Sequence, residues 1–244
     1  MKKFLVICLI LLLICCICLL CFTTMLGAVP FFSKKIGTTK ARDLGVTYTE
    51  ADLKRVDSAV GHVSKVDPNL AAIPGEIKYE GQVKVNSKIT NAEATAQVNR
   101  WYTSWEKTPI KDVQVKVADN GDVEVSGLLL IDRLYDYAIF LGYTQADVDQ
   151  VMSYFGLIAM KELPFYTKFT GTVNNNVVTI NVTTVQIAWI PLPMSMIEPI
   201  LPEFETFITK RIVSVPGLSV TDLHFENGQI VFVGTVPETT TTKP

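Results

Sequence analysis

The sequence predicts an α+β fold: two tandem helix–strand–helix–hairpin repeats, mostly antiparallel sheet packed on helices, preceded by one N-terminal transmembrane helix. Three observations carry this expectation. An uncharged apolar run extends from Phe4 to Phe22. The segment Tyr48–Val56 returns as Tyr143–Val151, with five of nine positions identical. A strand, Asn-Gly turn, strand and closing glycine at Val113–Gly127 return in outline at Leu223–Gly234. The two motifs keep their order, and ordered duplication predicts two similar subdomains around a pseudo-two-fold axis.

Residues 1–33 are the expected anchor, with Leu26-Gly-Ala28 as the cleavage site in the alternative that the run is a cleaved signal. A membrane-crossing helix needs about 20 apolar residues, whereas a signal-peptide core is usually about 7–15. Lys2 and Lys3 favour a cytoplasmic N-terminus. The chain is then a single-pass protein of the cell membrane with its ectodomain extracytoplasmic. All five cysteines lie in the apolar run, so the ectodomain has neither disulfides nor a thiol nucleophile. The chain carries 22 basic and 24 acidic residues, and Lys2 and Lys3 precede the run, which leaves the remainder mildly acidic. No basic stripe is present, and nucleic acid is not an expected partner.

Residues 34–47 read as a tether, and the first repeat spans 48–142. Thr49 and Asp52 form a variant capping box. Leu53, Val56, Val60 and Val63 then recur on one helical face, with Asp67-Pro68 and Pro74-Gly75 as terminators. Val83, Val85 and Ile89 alternate with Lys84 and Lys88, a half-buried strand within 77–89. Thr90 and Glu93 cap a second helix, whose face carries Ala94, Val98, Trp101 and Trp105 before Pro109. A hairpin follows from about 111 to 131, turning at Asn120-Gly121.

The apolar stretch from Asp132 to Leu141 joins the halves, and the second repeat spans 143–237. Its first helix starts at Thr144 and presents Val148, Val151, Met152, Phe155 and Ile158. Strands over 165–173 and 177–187 meet across Asn174-Asn-Asn176. Residues 195–213 form the counterpart of the second helix, interrupted by Pro199 and Pro202, and a hairpin turning at Asn227-Gly228 closes the repeat. The two hairpins differ by one residue before the turn, which suits a bulge in one of them. Residues 238–244, threonine-rich and without apolar groups, are expected to be disordered.

Three segments carry a wider likeness: Pro109-Ile-Lys-Asp-Val-Gln-Val115 continuing to Gly127, Pro164-Phe-Tyr166, and Asn227-Gly-Gln-Ile-Val-Phe-Val-Gly-Thr-Val-Pro237. Residues 45–238 resemble a group of uncharacterised bacterial membrane-anchored envelope proteins. Their architecture is similar to the tubular lipid-binding superfamily, in which sheets wrap long helices and leave an apolar groove. The resemblance implies a fold and transfers no activity and no functional residue.

The chemistry is sparse. His62 is expected on the polar side of the first helix and His224 on a strand, both as surface histidines away from any nucleophile motif. Neither histidine-pair spacing nor an Asp-rich calcium loop is present, so no metal and no cofactor are expected. Two apolar stretches stand out instead, Leu128–Leu141 and Trp189–Leu201. Such stretches outside long regular elements line a ligand groove, meet a membrane or partner, or are ordinary core. The candidate apolar ligand site is therefore Leu134, Tyr137, Phe140, Phe155, Trp189, Ile190, Met194 and Ile197. The expected function is non-enzymatic: a membrane-anchored envelope protein that binds a lipid or other apolar ligand between the repeats. The alternative is a structural module that meets an envelope protein partner and holds no ligand.

Overall fold

The computed structural model describes residues 39–70, 77–140, 144–146 and 161–243. The fold is α+β with mostly antiparallel sheet. In chain order it runs α1 (Glu50–Val60), β1 (Val63–Val66), β2 (Ile77–Glu80), β3 (Val83–Thr90), α2 (Asn91–Ser104), β4 (Ile110–Val117), β5 (Val123–Leu130) and α3 (Ile131–Phe140). It continues with β6 (Glu162–Asn174), β7 (Val177–Ile187), β8 (Ile190–Pro191), α4 (Met194–Ile197), α5 (Leu201–Ser214), β9 (Ser219–Glu226), β10 (Gln229–Val236) and β11 (Thr239–Thr242). Among the described residues no helix is long and apolar enough to cross a membrane. The apolar run expected as an anchor, and most of the helix expected from Thr144, lie outside them.

The larger sheet is built on β6. Residues 165–169 of β6 pair with both β5 and β7, which must therefore flank opposite edges. Further along, Val173 and Asn174 pair with both β7 and β9. One edge of β6 is thus lined by β7, and the other is shared end to end by β5 and β9. The β4–β5 and β9–β10 hairpins consequently meet tip to tip, with Asn227 N–H donating to the Asp119 carbonyl at 3.3 Å. This contact explains Gly121: its φ is 84°, and a Cβ there would stand 2.7 Å from the Phe225 carbonyl oxygen. Beyond β10 lies β3, paired antiparallel over its whole length, so a strand from the first half closes the sheet beside the second. Bulges occur in both hairpins, between Lys111 and Gln114 and between Val233 and Gly234.

Two helices seal the sheet edges with polar side chains. On α2, Asn91, Thr95 and Asn99 recur every fourth residue and reach the free edge of β4. Thr95 Oγ1 accepts from Val115 N–H at 3.0 Å and donates to its carbonyl at 3.3 Å. Asn99 accepts from Val113 N–H at 3.0 Å and donates to its carbonyl at 2.7 Å. Asn91 does the same for Val117. The periods match, since four helical residues advance about 6.0 Å and two strand residues about 6.8 Å. On α5, Glu205 and Thr209 accept from the N–H groups of Ile180 and Val178 on β7, at 2.7 and 3.2 Å. Edges covered in this way offer no template for a further strand.

The first helix confirms its capping residues and corrects its end. Asp52 Oδ2 accepts from both the N–H and the hydroxyl of Thr49 at 2.7 Å. Gly61, with φ 69°, stops the helix before Val63, which belongs to β1 and is exposed. The residues that precede Asp67-Pro68 are therefore strand. The expected strand within 77–89 is broken at Gly81, φ 67°, into β2 and β3. The apolar connection after Leu130 is a helix, α3.

The tail is the clearest correction. Thr239–Thr242 is not disordered but forms β11, the middle strand of a second sheet in the order β1-β11-β2. It is parallel to β1 and antiparallel to β2, and Thr240, Thr241 and Thr242 are buried. Threonine is β-branched and strand-forming, and two flanking strands satisfy its backbone without any apolar side chain.

The core is split. One cluster, Ala94, Val113, Val115, Val117 and Val123, lies where α2 meets β4 and β5. The other, Val173, Val178, Ile212 and Val220, lies beneath α5. Their partly buried fringes, including Ile89, Val98 and Phe165 from the first and Leu218 and Phe232 from the second, border one shared cavity.

Candidate functional site

That cavity measures about 950 Å³. It is bounded by α1, α2, α3 and α5, by strands of both sheets, and by the Thr108–Pro109 turn. Most of its lining is aliphatic or aromatic, with Val60, Trp101, Ile110, Leu129, Val185 and Ile187 representative. Helix α3 contributes Leu134, Tyr137 and Phe140, three of the sequence-derived candidates, at spacings of three that place them on one face.

Aromatic rings order this wall. Trp105 packs edge-on against Phe140 at 4.8 Å, Tyr137 at 6.0 Å and Trp101 at 6.5 Å between centroids. Such edge-to-face pairs fix ring orientation beyond simple burial. Trp105 is 4% exposed, and its indole N–H has no acceptor among the described residues.

The polar groups of the lining are few and mostly committed. Asp57 receives Arg100 Nη1 on both carboxylate oxygens, at 2.8 and 2.7 Å. Tyr166 donates to Glu124 at 2.8 Å. His62 is not on the polar side of α1 but beyond its C-cap, at the cavity wall. Its Nδ1 lies 2.8 Å from the Pro237 carbonyl, which only accepts, so Nδ1 carries the proton. Burial raises the phenols of Tyr79 and Tyr137, and the nearby Arg211 charge partly opposes it.

The remaining candidates lie elsewhere. Trp189 is not in this cavity but sits on a left-handed turn with Ala188, φ 68° and 50°. Its Nε1 donates to the Lys40 carbonyl at 3.2 Å, and Arg42 lies between it and Tyr166, 5.5 and 3.9 Å from the two ring centroids. Ile190 is half-buried on β8 opposite Ile187. Met194 and Ile197 are half-buried on α4 and do not border the cavity. Phe155 lies outside the described residues. What stands exposed nearby is Met196, Ile200 and Phe204, the last also at the cavity wall.

Sequence reasoning overlooked Trp101, Trp105, Tyr79, Phe165 and Arg211 as cavity residues. The spacing of Trp101 and Trp105 on one helical face was the available signal. Nothing local marks the others, which arrive from separate elements. Among the described residues no group of three or more His, Cys, Asp or Glu side chains could hold a metal ion.

No protein-family model matches the chain, and no curated protein or solved structure shows significant similarity to it.

Proposed function

We propose that the chain is a non-enzymatic extracytoplasmic protein, tethered to the cell membrane by its N-terminal apolar run, that holds a lipid or other apolar ligand in the central cavity. One observation carries this reading: a space of about 950 Å³ walled chiefly by aliphatic and aromatic side chains from both halves of the chain. Small-molecule sites usually measure about 300–1,000 Å³ and are mostly apolar. The driving force is burial. A chain of roughly 16 carbons at about 0.8 kcal/mol per CH₂ offers about 12 kcal/mol before ordering costs. The like-placed helices α2 and α5, each sealing a sheet edge, and the hairpins meeting tip to tip support a duplicated architecture with the ligand between its halves.

The test is extraction of the full chain purified from membranes, with and without a filled cavity. Val98, half-buried at the cavity wall, is replaced by Trp. The wild type is expected to release an apolar molecule in stoichiometric amount and Val98→Trp to release none while keeping its melting temperature. A wild type that carries nothing after incubation with envelope lipids would refute the reading.

A second reading rests on the exposed Met196, Ile200 and Phe204 at 60%, 53% and 49%. This surface suits an envelope protein partner. Met196→Ser with Ile200→Ser is expected to remove such a partner from pull-downs and leave lipid release unchanged. The reverse pattern favours the cavity.

A further inference from the structure

Deepening the apolar-ligand reading, on which it rests, we propose that the cavity takes an anionic amphiphile whose oxyanion head is held by Arg211 with the hydroxyls of Tyr79 and Tyr137. Arg211 lies in the last turn of α5 and borders the cavity. Its guanidinium carbon stands 4.8 Å from the centroid of the Phe140 ring. Its Nη2 donates to the Tyr79 hydroxyl at 3.4 Å. Tyr137 packs on the same Phe140 ring at 6.1 Å.

Charge balance points to the head group. Asp57 and Arg211 are the carboxylate and the guanidinium of the lining, and Asp57 is neutralised by Arg100. Among the described residues no carboxylate lies within 4.0 Å of Arg211. A ring face and a phenol attract a guanidinium but supply no counter-charge. A cation turned toward an apolar space needs one, because desolvation without a partner is costly. Its donors form a planar fork that fits a carboxylate or phosphate.

The phenols complete the cradle. Tyr79 accepts from Arg211 through its oxygen, which leaves its own proton to donate. Burial keeps both phenols protonated and therefore donors. The indole N–H of Trp105, without an acceptor among the described residues, borders the same aromatic group. The apolar chain of the ligand would then run along Trp101, Ile110, Phe165 and Ile187.

The experiment uses the full chain in phosphatidylcholine vesicles with three photo-crosslinkable probes of equal chain length: a fatty acid, an alkyl phosphate and the uncharged alkyl alcohol. Labelled peptides are mapped by mass spectrometry. One or both anionic probes should label cavity peptides at least about tenfold more than the alcohol, the effect of one charge-assisted hydrogen bond. Arg211→Gln should bring them down to the alcohol's level and leave the alcohol unchanged. Preference for the acid or the phosphate identifies the head class, and either supports the proposal. Equal labelling of all three by the wild type would overturn it, as would a folded Arg211→Gln that keeps the preference. Where Arg211→Gln fails to fold, the wild-type comparison and Arg211→Lys, which keeps the charge and should keep the preference, decide the matter. Cavity labelling by the alcohol alone overturns the anionic head and spares the apolar ligand. Labelling by no probe removes both.

Discussion

Asn99→Leu is the sharpest test of how α2 is bonded to the sheet. Leucine keeps the branched heavy-atom skeleton of asparagine and is somewhat larger, so no cavity forms. The change removes two bonds from the Asn99 amide to the backbone of Val113, at 3.0 and 2.7 Å. Val113 is 2% exposed, and water cannot replace what is lost. Two buried backbone groups left without partners cost about 1–3 kcal/mol each, or roughly 4 kcal/mol together. The better helix propensity of leucine returns only a few tenths of a kcal/mol. Equilibrium urea unfolding reports the difference through Trp101 on the same helix and Trp105 at its C-cap. At a slope of about 2 kcal/mol per molar urea, the midpoint should fall by about 2 M. Thr103→Ala, on the exposed side of α2, should stay within about 0.5 kcal/mol of the wild type. A variant Asn99→Leu as stable as Thr103→Ala would show that the edge of β4 is satisfied some other way.

Two further outcomes follow from the same structure. Removal of residues 239–244 takes away the strand that joins β1 to β2, together with the 2.7 Å bond from the Thr242 hydroxyl to the Ser104 carbonyl. Limited proteolysis should then cut within 63–80 several-fold faster, and an unchanged cleavage pattern would refute the role of β11. Alkaline stability should reflect the buried phenols. The folded state raises Tyr79 and Tyr137, first through burial, so the unfolded chain ionises earlier. Stability is fully present below the unfolded phenol value of about 10 and declines as pH rises through the folded values. Tyr79→Phe should flatten that decline, as measured by urea midpoints across the alkaline range, and an unchanged slope would contradict the burial of this phenol.

Much of the fold was legible because local rules suffice for it. The capping residues Thr49 with Asp52 and Thr90 with Glu93 mark helix starts, and the second is confirmed by Glu93 Oε2 accepting from the Thr90 N–H at 2.8 Å. The turns at Asn175-Asn176 and Asn227-Gly228 have positive φ throughout, as tight hairpins require. The apolar face Leu134, Tyr137 and Phe140 was legible for the same reason, since three residues at helical spacing must share a side. Gly61 shows the limit. A run of apolar residues at helical spacing continues past it to Val63, yet a left-handed C-cap ends the helix first.

The sequence by itself determined the α+β class, the helix starts at Thr49 and Thr90, the tight turns at Asn175-Asn176 and Asn227-Gly228, and the shared side of Leu134, Tyr137 and Phe140. These follow from spacing and from the backbone preferences of neighbouring residues. Only the tertiary structure decided that β3 would close the sheet beside β10, that the threonines of β11 would be buried between β1 and β2, and that Arg211 and Tyr79, 132 positions apart, would meet at one cavity. Those contacts are long-range. Each depends on which strand edge remains free once the others have paired, and on the volume left between two small cores, and no local pattern of residues encodes either.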